Sequence, residues 1–143
     1  MKKMIALAAI AAIAVGAAFA LEHDTPQASG DFASLTAGEK VYAGNIAAVA
    51  TNGCAYAVNT AAISGTLTVC GVFQRTAEKG EDVLVKRGGF LLENAGNITK
   101  AEIGQTAYST TNNAWTVTKT SGTKTVGKIA DVREAGVVVV VGR

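Results

Sequence analysis

The sequence predicts an all-β protein, a small β-barrel or sandwich with pseudo-repeated halves, preceded by an apolar N-terminal helix and an extended arm. Three observations point there. Short runs of β-branched and aromatic residues recur between Gly- and Asn-centred turns from Gly38 onward. No stretch of that region has the spacing of an amphipathic helix. From about Leu35 to Arg143, two halves follow the same order of turns, small residues and apolar runs. The organisation that follows is an apolar helix over residues 1–20, an extended arm over 21–35 and a β-barrel over 36–143.

The first segment joins Met1-Lys2-Lys3 to an apolar stretch from Met4 to Val15 and then to Ala18-Phe19-Ala20, the pattern of a secretory signal peptide with its cleavage site. Read as retained, it is an Ala-rich helix of about 25 Å at about 1.5 Å per residue. That is slightly short for an unaided membrane span, which needs about 20 apolar residues. Ile5, Ala9, Ala12, Ile13 and Gly16 share one face, but the rest is also apolar, so the helix needs cover from protein or lipid. Leu21 to Ser34 has no periodicity, and Pro26 biases Thr25 toward extended backbone. Phe32 and Leu35 are its only anchors. The stretch is a linker, or a strap that adds to a partner's sheet edge.

Strand signals then follow one another. Val41 to Ala43 and Ile46 to Ala50 flank Gly44-Asn45, and Asn52-Gly53 predicts a two-residue hairpin leading into Ala55 to Val58. Thr66 to Cys70 alternates polar and apolar, and Gly71 marks a kink or a close backbone approach before Val72-Phe73. Asp82 to Lys86 and Phe90 to Glu93 lie on either side of a turn at Gly88-Gly89. Thr99 and Glu102 have capping-box spacing and predict a single helical turn. Ala114 to Thr118 alternates after Asn112-Asn113, and Gly136 to Val141 is a β-branched run suited to a strand buried on both faces.

The repeat aligns Leu35 to Tyr42 with Ile98 to Tyr108, each a Thr-x-x-Glu followed by an apolar-Tyr pair. It aligns Asn52 to Val58 with Asn112 to Val117, Val69 to Phe73 with Thr125 to Ile129, and Asp82 to Val85 with the Gly136 to Val141 run.

Few functional classes find support in the residues. Of 13 basic residues against 11 acidic, Lys2 and Lys3 supply the excess, so the remaining body is neutral. Binding a phosphate backbone calls for clustered Lys and Arg, and nucleic acid is excluded as a partner. The single histidine, His23, lies in the arm, away from any nucleophile. Cys54 and Cys70 are too few for a four-ligand zinc site; they are a disulfide or two small buried hydrophobes. Glu78 to Asp82 reads as a solvated turn, and Lys86-Arg87-Gly88-Gly89 lacks the helix a phosphate-binding loop opens. Trp115, Tyr42, Tyr56 and Tyr108 are strand aromatics, or a sugar-stacking platform. No catalytic residue, cofactor, metal or small-molecule substrate is expected.

The series Gly38-x-x-Val41-Tyr42, Val69 to Phe73, Gly80 to Val85, Ile103 to Tyr108, Asn112 to Thr118, Val126 to Ala130 and the terminal valine strand resembles the capsid cement, or head decoration, proteins of tailed bacteriophages. The likeness spans roughly Thr36 to Arg143 and rests on turns and strand edges, with no single diagnostic motif. Met1 to Ser34 is extra to the pattern. The resemblance implies a non-enzymatic virion protein on the outer capsid surface, bound to the major capsid protein across its subunit joints and self-associated as a homotrimer, or second as a dimer. Ile5, Ile13, Leu21, Phe32 and Leu35 are then the candidate capsid or subunit contacts. The competing expectation is an exported β-domain binding module in the periplasm or outside the cell. It would be freed by cleavage after Ala20 and closed by a Cys54–Cys70 disulfide.

Overall fold

Glycine sets the frame of this fold by entering backbone conformations that other residues rarely adopt. Gly44 (φ 88°) and Gly104 (φ 92°) both occupy the left-handed region. Each donates its N–H to a strand carbonyl, Gly44 to Phe73 O at 2.9 Å and Gly104 to Ile129 O at 2.8 Å. The computed structural model describes residues 31–121 and 123–142. In it the chain forms strands β1 (Phe32–Thr36), β2 (Ile46–Ala50), β3 (Ala55–Ala57), β4 (Leu67–Phe73), β5 (Asp82–Lys86) and β6 (Gly88–Asn94). After a 3-10 turn at Lys100–Glu102 come β7 (Thr106–Ser109), β8 (Thr116–Thr118), β9 (Thr125–Arg133) and β10 (Gly136–Val141). The expected helix over residues 1–20 and most of the arm lie outside the described residues.

The first five strands form a sheet in the order β1-β5-β4-β2-β3. The last five form a closed barrel that runs, from its own first strand, β6-β10-β9-β7-β8. The two orders are the same. In the barrel the seam is closed by a parallel pair, Glu93 with Thr116 and Asn94 with Val117. In the sheet a single parallel bridge, Ala37 with Ala55, stands at the same place.

The registers agree as well. Gly71 lies opposite Ala47 with a bulge at Cys70, and Gly127 lies opposite Ala107 with a bulge at Val126. Phe73 pairs with Val85, and Ile129 with Val139. Phe73 N donates to Asn45 O, and Ile129 N to Gln105 O. A bulge leaves one residue unpaired and sharpens the local twist, which helps five short strands curl toward closure. The sequence alignment of Val69 to Phe73 with Thr125 to Ile129 therefore holds residue for residue. The alignment of Tyr42 with Tyr108 does not, because Tyr108 occupies the place of Ala48 in the pairing. Ala55 likewise corresponds to Val117, two positions along from the sequence alignment. An apolar-Tyr pair is a weak ruler, whereas the left-handed glycine turn admits no slippage.

Each half has its own core. Leu35, Ala47, Ala55, Phe73, Val83 and Val85 pack together in the first, and the corresponding Leu92, Ala107, Val117, Ile129, Val137 and Val139 pack together in the second. Burying each of the larger side chains contributes about 1.5–3 kcal/mol. Ile46, Val58 and Val72 of the first half belong to the second core, so a joint of buried side chains locks the two together. Ile46 N also donates to Ala114 O at 2.7 Å. At the places of Ile46 and Val72, which face each other across β2 and β4, the second half has Thr106 and Lys128. Lys128 Nζ donates to Thr106 Oγ1 at 3.2 Å.

Several expectations are corrected. Phe32 to Leu35, assigned to the arm, forms most of β1 and pairs with β5. Gly88-Gly89 is strand, not turn, because a single residue, Arg87, separates the end of β5 from the start of β6. Val41 makes only an isolated bridge to Ala77. The β2–β3 hairpin has a four-residue loop, Thr51 to Cys54, with Gly53 at φ 83°. The valine strand is buried on one face alone: Val137, Val139 and Val141 are inaccessible, while Val138 and Val140 are half-buried. β7 and the long β9 were not legible as strands.

The capping box is present as expected. Thr99 N and Oγ1 donate to Glu102 Oε1 at 2.7 and 2.9 Å, which holds the Glu102 carboxyl below the usual carboxylate range. The unfolded chain therefore binds this proton more readily. The stabilisation is present above about pH 4.3 and is lost as pH falls through the lower folded value. We expect a gap in thermal midpoint between native protein and Glu102→Gln at pH ~7 that narrows as pH falls below about 4.3, read by circular dichroism.

Candidate interaction surface

Large apolar side chains left in water mark the surfaces on which a β-protein can meet something else. Phe32, at the start of β1, is 44% exposed. It lies opposite Lys86 on β5, whose ammonium stands 5.3 Å from the ring centroid. Leu84, also exposed, is two residues back on β5 and faces Ser34. Strand alternation puts Phe32, Ser34, Leu84 and Lys86 on one outward face, an apolar pair edged by one cation.

Leu35 points the other way: half-buried, it packs against the core of the first half. Ile5, Ile13 and Leu21 lie outside the described residues, as does His23. Leu84 and Lys86 were not singled out from the sequence, although the alternation of Asp82 to Lys86 contains the signal.

The four aromatics read as a possible platform do not share one environment. Tyr56 is buried, its hydroxyl accepting from Asn52 Nδ2 at 3.1 Å, and its ring covers Gly38. Tyr108 is half-buried on β7. Tyr42 is exposed, with Lys40 Nζ 5.6 Å from its ring and Lys40 itself paired to Glu78 at 3.2 Å. Trp115, 47% exposed, precedes β8 and donates its Nε1–H to Glu93 Oε1 at 2.9 Å. Glu93 was not legible as a partner, because its proximity comes from the parallel seam between β6 and β8.

Cys54 and Cys70 are both half-buried and free. Cys70 Sγ contacts Ala47 O at 3.5 Å, and burial pushes its pKa up to about 11, so the thiol stays protonated at neutral pH. Among the described residues no three His, Cys, Asp or Glu side chains converge as metal ligands, and no helix is long and apolar enough to cross a membrane. The charged surface consists of scattered exposed pairs, Lys40–Glu78, Lys100–Asp131 and Arg133–Asp131 among them. Such pairs are screened by water and set no strong field. The chain matches no protein-family model and no curated protein.

Proposed function

We propose that this chain is a non-enzymatic decoration protein, built from two copies of one five-stranded unit. In this reading it binds the outside of an assembled bacteriophage head across joints of the major capsid protein. The observation that carries the reading is the matched pair of five-stranded units. One strand order, one bulge position and one crowded glycine occur in both, and a buried joint holds the two together. Such a body is a stiff spacer that presents fixed outward faces.

A protein that binds the assembled shell and not its separated subunits stabilises the shell by mass action, and weak contacts suffice when repeated over many sites. Phe32 with Leu84 and Lys86 supplies a contact of this kind. A homotrimer at a symmetry axis is the preferred assembly, a dimer the second. Two free thiols fit assembly in a reducing cytosol better than export.

The second reading, a module exported and freed after Ala20, is favoured by the signal-like order of Lys2-Lys3, the apolar stretch and Ala18-Phe19-Ala20. Intact mass and particle stability separate the two. The decoration reading expects the chain in purified particles with its full mass, or that mass less Met1. It also expects particles lacking the chain to release DNA at lower temperature, and particles given back the purified chain to recover. A mature N-terminus at Leu21 outside the cell, or particles indifferent to the chain, overturns it.

A further inference from the structure

Trp115 is the only tryptophan in the chain and stands about half in water, although burying an aromatic of that size is strongly favourable. It is not loose. Its indole N–H is fixed on Glu93 Oε1, its backbone N–H donates to Asn113 Oδ1 at 2.9 Å, and its carbonyl accepts from Glu93 N at 3.0 Å. A ring with its orientation already set has little conformational freedom left to lose on binding.

Its hydrogen-bond partners are polar side chains, and Leu91, 50% exposed, stands on the same face of β6 as Glu93. Thr111 and Asn112 are exposed, Asn113 is half-buried and Glu93 is exposed. Glu93 Oε1 takes the bonds from both Trp115 Nε1 and Thr116 Oγ1, which leaves Oε2 to accept. Among the described residues Asn113 uses its oxygen alone, toward Trp115 N and Thr116 N, which leaves Nδ2 to donate.

We propose that Trp115, Glu93 and Asn113 form a carbohydrate-binding subsite. A saccharide ring offers one apolar C–H face and a rim of hydroxyls. The C–H face stacks on the indole, one hydroxyl donates to Glu93 Oε2, and another accepts from Asn113 Nδ2. The carboxylate beside the ring disfavours a nucleic-acid base, which carries its phosphates with it. A protein-docking tryptophan sits at the centre of a broad apolar patch, whereas this one is held by an amide and a carboxylate with one exposed leucine, Leu91, two residues from Glu93. A subsite of one aromatic and two polar groups binds in about the millimolar range. Display on a particle at many copies multiplies that by avidity, but the single-site affinity does not depend on the particle.

The lone tryptophan makes the test direct, because the intrinsic tryptophan fluorescence comes from the proposed site alone. The full chain is titrated with neutral glucose, galactose, mannose and N-acetylglucosamine and their short oligosaccharides. At least one is expected to give a saturable shift of the emission. Trp115→Phe should keep binding within about tenfold, and Trp115→Ala should lose it by saturation-transfer NMR, both with unchanged circular dichroism. Glu93→Gln should weaken it about tenfold, the loss of a charge-assisted hydrogen bond. No response up to about 100 mM of any saccharide, where a millimolar site saturates, overturns the proposal. So does binding that survives Trp115→Ala. A saturable response to an arginine-rich peptide and to no saccharide also overturns it, and assigns the tryptophan to a protein partner.

Discussion

Replacing Gly127 with alanine should cost this protein about 3 kcal/mol or more, the upper end of what overpacking does. Gly127 sits in β9 opposite Val141, and a Cβ built on it overlaps the carbonyl oxygen of Val140 and reaches within 3.3 Å of Val139 Cγ1. The obstacle is backbone held in the β9–β10 ladder, so relief requires moving a strand rather than turning a side chain. Gly104 provides the contrast. It has left-handed backbone but open space where a Cβ would go, so Gly104→Ala should cost only about 1–2 kcal/mol. Urea midpoints of the two variants measure the difference, and equal losses would remove the steric argument.

Truncating Phe73 to alanine ranks next, with an expected loss of about 3–5 kcal/mol. Phe73 is 1% exposed in the core of the first half, and its counterpart Ile129 is equally buried in the second. The informative part of the experiment is where the loss is seen. Trp115 lies in the second half, yet unfolding the first would strip Ile46, Val58 and Val72 from the second core. Trp115 emission and far-UV circular dichroism of Phe73→Ala should therefore fall together, in one transition with a lowered midpoint. Two separated transitions would mean that the joint does not couple the halves.

What the sequence revealed was governed by how local each determinant is. The capping box of Thr99 and Glu102 spans four residues and was legible, as were the strands Ile46–Ala50, Asp82–Lys86 and Gly136–Val141. Gly71 was legible as a close approach, and a Cβ there meets the Lys86 carbonyl. β9 was not, because Gly127, Lys128 and Asp131 interrupt its apolar pattern and only pairing with β7 and β10 makes it a strand. Nor was β1 recognised: its exposed Phe32, Ala33 and Ser34 resemble a linker until β5 lies beside them. The same limit applies to the sites. Phe32 was selected as an anchor on its own, whereas Leu84, Lys86 and Glu93 acquire meaning only through neighbours distant in sequence. The side of β1 that Leu35 occupies was not legible either, because an isolated leucine in polar sequence does not reveal it.

The polar cross-strand pair Thr106 and Lys128 has one more consequence. A module that adheres to its successor through a greasy face generates a filament unless some copy withholds that face. Here Ile46 and Val72 provide the adhesive, and one hydroxyl and one ammonium, in the matching places of the next module, withdraw it. The hydroxyl and the ammonium thus keep the second unit's counterpart of the buried joint a hydrated surface.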